Sequence, residues 1–319
     1  MSEANAIAED TDCPDETSRA RLETIAIIVN SRSGSLVGSD PTEAIESLRK
    51  SCRIKLAGVF EAADDFDAAC DAAMSSGADV IAIAGGDGTA RSVLAKLTEL
   101  GCEAALLPLP LGTANILPHR LYGDRSAEEI LSEVGTYEHH RIDAGRFNGE
   151  LFLVAAAVGF PAVLGRAREA VRPGSRRDAL RAALSRARLA IKQMFIPRIR
   201  FKIRSGTGAP RFRASGAFIA INDSLAGFGG IEAPDTERAV LQCIAFRLKT
   251  MWDMFGLGMD AMTQGLSRSR RAKVMEGRSI VMTSRRALAV MLDGEPAFAH
   301  HHARIRVAPE AVLVLKPPQ

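Results

Sequence analysis

The sequence predicts an α/β N-terminal domain built on a parallel sheet, followed by a β-rich antiparallel C-terminal domain. Three observations predict it. Short β-branched runs alternate with helix-length segments as far as about residue 140, which is the pattern of βαβ units. Beyond that point strand-like runs and tight turns take over, with Asn148-Gly149 and Asp293-Gly294 as hairpin signals. The length, 319 residues, also exceeds what one ordinary core organises.

Residues 1–22 hold Glu3, Glu9, Asp10, Asp12, Asp15 and Glu16 and almost no large apolar side chains, so an acidic, disordered tail is expected. A β-branched strand, Ile25 to Val29, then runs into the loop Asn30-Ser31-Arg32-Ser33-Gly34-Ser35. Asp40 is expected to cap a helix that has Pro41 at its first position and ends near Ser51. A strand from Ile54 to Phe60, a helix from about Asp64 to Ser75 and a strand from Asp79 to Ala84 follow. The loop Gly85-Gly86-Asp87-Gly88-Thr89 leads into a helix from about Thr89 to Leu100. A buried-type strand, Ala104 to Pro108, ends in the small-residue turn Leu111-Gly112-Thr113-Ala114-Asn115. The C-terminal strands are read at Phe152–Val158, Ile199–Ile203, Ala217–Asn222, Val240–Phe246, Ser279–Thr283 and Ala287–Leu292.

Composition narrows the function classes. Apolar and charged fractions of 47% and 25% are those of a soluble globular protein. Cysteines at 13, 52, 70, 102 and 243 are odd in number and show no C-x-x-C spacing, which argues against a disulfide framework or a zinc site. A reducing cytoplasmic compartment fits better. The N-terminus has the character of neither a signal nor a transit peptide, and apolar runs such as Leu151 to Phe160 are too short to span a membrane. A net charge of +3 and an aromatic content of 5% speak against nucleic acid as partner. The expectation is a cytoplasmic protein, at most peripheral to the inner face of a membrane.

The chemistry is concentrated in three loops at the carboxyl ends of predicted parallel strands: Asn30 to Gly34, Gly85 to Thr89 and Gly112 to Asn115. In open α/β sheets ligands bind at those ends. Glycine lets backbone N–H groups approach a ligand closely, and N–H groups at a strand-to-helix turn form a nest suited to phosphate. The carboxylate of Asp87 inside such a cradle would repel phosphate unless it works through a metal cation or accepts a proton. Any one loop could be a mere turn, but the joint pattern favours a nucleotide cleft over three merely structural turns. Neither the Walker A pattern nor the Rossmann fingerprint is present.

These loops, Asn30-x-x-Ser33-Gly34, Gly85-Gly86-Asp87-Gly88-Thr89 and Leu111-Gly112-Thr113-Ala114-Asn115, resemble the catalytic domain shared by diacylglycerol, sphingosine and ceramide kinases, in its bacterial soluble form. The likeness continues through Asp143-Ala144-Gly145, Asn222 to Pro234, Leu292-Asp293-Gly294-Glu295 and Arg304 to Leu315. It implies an NAD-kinase-like nucleotide domain over 23–141, to which 305–319 returns, and a lipid-binding domain over 142–304. It implies ATP and Mg²⁺ as cofactors, and a catalytic set of Glu295, Asp293 and Asp87. Glu295 would accept the proton of a lipid hydroxyl with Asp293 alongside; as a bare tripeptide Asp293-Gly294-Glu295 reads as a hairpin. Asp87 would meet Mg²⁺ indirectly, through the nucleotide. Asn30, Ser31, Arg32, Ser33, Gly34, Gly85, Gly86, Asp87, Gly88, Thr89, Gly112, Thr113 and Asn115 would hold the nucleotide. Ser31 stands where the family has proline, and Arg91 where a smaller polar residue is common. The turn Pro234 to Val240 keeps only Asp235 and Glu237, so the structural Mg²⁺ site of bacterial relatives is expected to be absent.

Other features carry less. Residues 166–213 contain fifteen Lys/Arg against Glu169 and Asp178, with Leu180, Ala183, Leu184, Ala187, Ile191 and Met194 at helical spacing. This segment reads equally as a solvated helix and as a contact for an anionic membrane surface. His300, His301 and His302 read as a polar turn, and Met251, Trp252, Met254, Phe255 and Met259 as core. The functional expectation is an ATP-dependent kinase of a lipid hydroxyl, on diacylglycerol, a sphingoid base or ceramide. A non-catalytic nucleotide-responsive membrane-binding module and a kinase of a soluble alcohol are the alternatives.

Overall fold

The computed structural model describes residues 23–34, 41–62, 65–169, 199–205, 208–222, 224, 239–248, 250–263, 265–299 and 301–318. The acidic tail, the Asp40 cap, the predicted basic helix, most of the Pro234–Val240 turn and His300 lie outside the described residues.

Two sheets organise the chain. The first begins with β1 (Thr24–Val29), β2 (Lys55–Glu61), β3 (Val80–Gly85) and β4 (Ala105–Pro110), all parallel and ordered β2-β1-β3-β4. The helices between them are α1 (Pro41–Ser51), α2 (Phe66–Ser75) and α3 (Asp87–Leu100); α4 (Ile116–Tyr122) and α5 (Ala127–Glu133) follow β4. Every residue of β3 is buried, as expected of a central parallel strand covered on both faces. The N-terminal Ser126 of α5 closes a capping box with Glu129, its hydroxyl accepting from Glu129 N and the Glu129 carboxylate from Ser126 N.

Beyond β4 come β5 (Glu138–Phe147), β6 (Glu150–Phe152), β7 (Ala155–Gly159), α6 (Phe160–Glu169), β8 (Ile199–Arg204), β9 (Arg211–Ala214), β10 (Gly216–Ile221) and β11 (Leu241–Phe246). The remainder is α7 (Met251–Thr263), β12 (Ala272–Gly277), β13 (Ser279–Thr283), β14 (Leu288–Leu292), β15 (Glu295–Ala299) and β16 (His302–Lys316). The second sheet has the order β12-β11-β10-β7-β14-β15 and is antiparallel throughout. The α/β half with its parallel sheet and the antiparallel C-terminal sheet are as the sequence predicts.

Strand β16 links the two halves. Its first residues pair antiparallel with β13, and Val314 near its end pairs parallel with Leu106 of β4. A shift in its pairing with β5 between Ala308 and Val312, with Glu310 at φ +48°, lets one strand serve both. One core fills the parallel half around Ile27, Ile81, Ile83 and Leu107. A second lies between the sheets, with Phe147, Phe201 and Ile305 from one and Val158, Ile219 and Val290 from the other.

Three local differences from the sequence reading have physical causes. The predicted strand Phe152–Val158 is broken at Leu153 and Val154, whose N–H groups leave the sheet to reach a carboxylate described below. Helix α3 begins at Asp87 rather than Thr89, so the glycine loop already belongs to the helix start. Of the α7 residues read as core, Met254 does pack over the second sheet, but Trp252, Phe255 and Met259 do not. Trp252 is 79% exposed, Phe255 67% and Met259 46%; periodicity marked the apolar face correctly, but the side that meets the sheet is the opposite one.

Candidate active site

The three glycine loops meet backbone against backbone. Asn30 follows β1; its N–H donates to Ala84 O (2.9 Å), its Oδ1 accepts from Arg32 N (3.1 Å), and its Nδ2 donates to Thr89 Oγ1 (3.0 Å). One side chain thus shapes the first loop and ties it to the first turn of α3. Gly34 lies at φ +54°, where a Cβ would come within 2.4 Å of Leu111 O. A Cβ on Gly112 would lie 2.4 Å from Gly86 Cα and 3.1 Å from Gly85 O. Asn115 holds the third loop at φ +51°, its Oδ1 accepting from Gly112 N (2.7 Å) and its Nδ2 donating to Pro110 O (3.1 Å). Gly86 caps α3 without a side-chain hydrogen bond, so no capping side chain occupies the first N–H groups of that helix.

This packing makes a prediction. Gly112→Ala is expected to destabilise the protein by about 1–3 kcal/mol, because the new methyl must push the second and third loops apart. Thermal melts check it: a lower midpoint is expected, and an unchanged one would contradict the close packing.

The acids converge on these loops from two sides. Asp87 is buried at the first position of α3, and its carboxylate accepts from Ile116 N (3.2 Å) and Leu117 N (2.9 Å) at the start of α4. Burial pushes its carboxyl up from the ordinary value, while those N–H groups and nearby Arg120 pull it back. Asp293 and Gly294 form the two-residue turn of the β14–β15 hairpin, with φ +47° and +91° and Leu292 paired to Glu295. The Asp293 carboxylate accepts three backbone N–H groups at the β6–β7 break: Leu153 (2.6 Å), Val154 (2.9 Å) and Ala155 (3.0 Å). Glu295 is exposed and reaches over the glycine loop, so that a Cβ on Gly88 would lie 3.1 Å from its Oε1.

A cleft of about 670 Å³ joins the two groups. Asn30, Arg32, Ser33, Gly86, Asp87, Gly88, Thr89 and Thr113 line it together with Asp293, Gly294 and Glu295. Ser31, Gly34, Gly85, Gly112 and Asn115 do not line it; of these, Gly34, Gly85, Gly112 and Asn115 shape the loops behind it. Ala114 of the third loop also lines the cleft, as do Ala62, Phe66, Ser92, Gly165 and Met291, which the sequence does not single out. Ser92 had a usable signal, since it sits three residues after Thr89 on one helix face. Gly165 and Met291 had none: α6 and β14 bring them together only in the fold, where a Cβ on Gly165 would meet Met291 Sδ at 2.5 Å.

The remaining family-like residues brace the frame. Asp143 accepts from Asn222 Nδ2 (2.8 Å) and from Glu310 N (3.0 Å), clasping β5, the end of β10 and the irregular stretch of β16. Arg91 turns toward Glu150 (3.5 Å) instead of into the cleft. Among the described residues no group of three or more His, Cys, Asp or Glu is arranged to hold a metal ion, and no helix is long and apolar enough to cross a membrane.

The Asp293 turn carries a pH signature. Burial, reinforced by the negative charge of Asp87, raises its carboxyl from 3.8 to about 6 against the pull of the three N–H groups. The folded state therefore holds this proton more tightly than the unfolded chain does. The group's contribution to stability is present below about pH 4 and is lost as pH rises toward 6, by a total on the order of 2–3 kcal/mol. Urea midpoints between pH 4 and 6 should fall more steeply for the parent than for Asp293→Asn. Parallel slopes would contradict the assignment.

Comparison with known proteins fits this geometry. Residues 24–147 match the family described as diacylglycerol kinase catalytic domain, which covers the parallel sheet and its three loops. A Pseudomonas fluorescens (strain Pf0-1) protein named "Probable lipid kinase YegS-like" is 35% identical over 98 residues, 31% of this chain; the matched part spans 32% of that relative's own length. The crystal structure of a diacylglycerol kinase from Bacillus anthracis str. Sterne superposes with a TM-score of 0.62 at 15% identity, covering 93% of this chain and 97% of that one. A further structure from the same organism gives 0.64 at 16% identity, over 93% and 99%. At such identities the structural likeness speaks for the fold. Family match and relative together give the chain its resemblance to the diacylglycerol and sphingosine kinase superfamily.

Proposed function

We propose that this chain is an ATP- and Mg²⁺-dependent kinase that phosphorylates the hydroxyl of a lipid, such as diacylglycerol, a sphingoid base or ceramide. The observation that carries the reading is the meeting of Glu295 with the Gly86–Thr89 loop in one cleft. An acid at the phosphate cradle is what a phosphoryl transfer to an alcohol requires.

The α3 N-terminus and the glycine backbones bind the triphosphate through N–H groups. Thr89, held by Asn30, and Thr113 flank it, and Arg32 and Ser33 close the first loop over it. Asp87 is the residue that would meet phosphate-bound Mg²⁺, which when present neutralises charge on the transferring group. With no three-ligand cluster among the described residues, the ion would arrive with the nucleotide. Glu295 accepts the proton of the lipid hydroxyl as its oxygen attacks the γ-phosphorus in line and ADP leaves. Asp293 acts as a positioning residue: its carboxylate, engaged by three N–H groups, fixes the turn from which Glu295 projects. Met291, Phe66 and Ala62 supply apolar wall for the acceptor.

Labelled ATP offered with a lipid panel and, separately, with soluble alcohols tests the proposal. Label in a lipid product supports it. Label only in a soluble product moves the acceptor class, and ATP binding without transfer to any acceptor would remove the kinase reading.

A further inference from the structure

We propose that the outer face of α7 is a docking surface for an anionic lipid bilayer. This goes beyond the kinase reading, and its test needs no turnover. Trp252, Phe255, Met259 and Met262 follow one another at spacings of three, four and three, so they fall within an arc of about 80° on the helix. They are 79%, 67%, 46% and 85% exposed. The opposite side carries Met254 and Leu257, which pack on Phe246, Ile244 and Leu266 over the second sheet. The helix is therefore anchored by one apolar face and presents another to solvent. A tryptophan and a phenylalanine exposed side by side on one helix face suit the headgroup–acyl boundary.

Charge around the helix selects the kind of surface. Both acids of α7, Asp253 and Asp260, sit together on one flank and are engaged by Arg271, at 3.6 and 3.0 Å. Asp253 is further engaged in a reciprocal cap with Thr250. Arg268 and Arg270, just after the helix, are exposed and make no ion pair among the described residues. An apolar stripe with its acids paired to Arg271 and exposed cations at its C-terminal end complements lipid tails beneath an anionic headgroup layer. A protein partner or a second copy would meet the same stripe without calling for those cations.

Trp252 is the single tryptophan of the chain, so the proposed contact has a built-in reporter. Vesicles of phosphatidylcholine with phosphatidylglycerol, added to the full chain without nucleotide, should shift its emission to the blue, and the protein should co-sediment with them. Phosphatidylcholine alone, or high salt, should weaken both effects. The double variant Phe255→Glu, Met262→Glu changes only exposed side chains and should lower partition by more than about tenfold while leaving the thermal midpoint in place. No shift and no co-sedimentation of the parent would overturn the proposal. So would equal binding by the double variant, or a blue shift that follows protein concentration without vesicles and so reports self-association. Failure of phosphoryl transfer with vesicle binding intact would instead count against the kinase reading alone.

Discussion

Asp87→Asn is expected to reduce phosphoryl transfer by about a thousandfold or more, the scale of losing a charge preorganised at the reacting phosphates. The structure adds a second consequence. Both carboxylate oxygens accept backbone N–H groups of α4, and an amide presents only one acceptor to that pair. Its Nδ2 would face a donor, so stability should also fall, by about 1–3 kcal/mol. Kinetics and thermal melts on one preparation separate the two effects. Turnover near the parental level in a folded Asp87→Asn would remove Asp87 from the mechanism. A normal melt with lost turnover would confine its role to chemistry and contradict its part in seating α4.

Glu295→Gln is expected to lower kcat by about a hundredfold to ten thousandfold, the usual contribution of a positioned general base. It is the cleaner of the two tests. Glu295 is exposed on the hairpin edge, and the turn beneath it is held by Asp293 rather than by Glu295 itself. The amide keeps the shape and loses only the capacity to take a proton at working pH. The melt should be unchanged, MgATP should still bind, and the loss should sit in kcat instead of KM. If Asp293→Asn abolished turnover while Glu295→Gln did not, the two acids would exchange roles.

Much of this was legible in the sequence because the signals are local. Glycine-rich turns after β-branched runs placed the loops, and Asp65, one residue after the expected start, caps α2 through Ala68 N. The hairpin reading of Asp293-Gly294-Glu295 and its family reading are both compatible with one geometry, since a two-residue turn is what carries Glu295 to the cleft. What escaped depends on distant contacts. The break at Leu153 and Val154 exists because a carboxylate some 140 residues later takes their N–H groups. Strand β5 escaped because its Glu, His and Arg residues hide its alternation, and only pairing with β16 decides it. For α7, period alone cannot say which of two apolar faces is buried.

The account rests on glycine loops that grip a triphosphate and point its end at Glu295. A crystal structure of the full chain with Mg²⁺ and a non-hydrolysable ATP analogue tests this most directly. The account predicts phosphate density against the N–H groups of Gly86 to Thr89, with the terminal phosphate facing the Glu295 carboxylate across the cleft. Nucleotide bound elsewhere, or bound here with its terminal phosphate directed away from the Asp293–Glu295 turn, would contradict it.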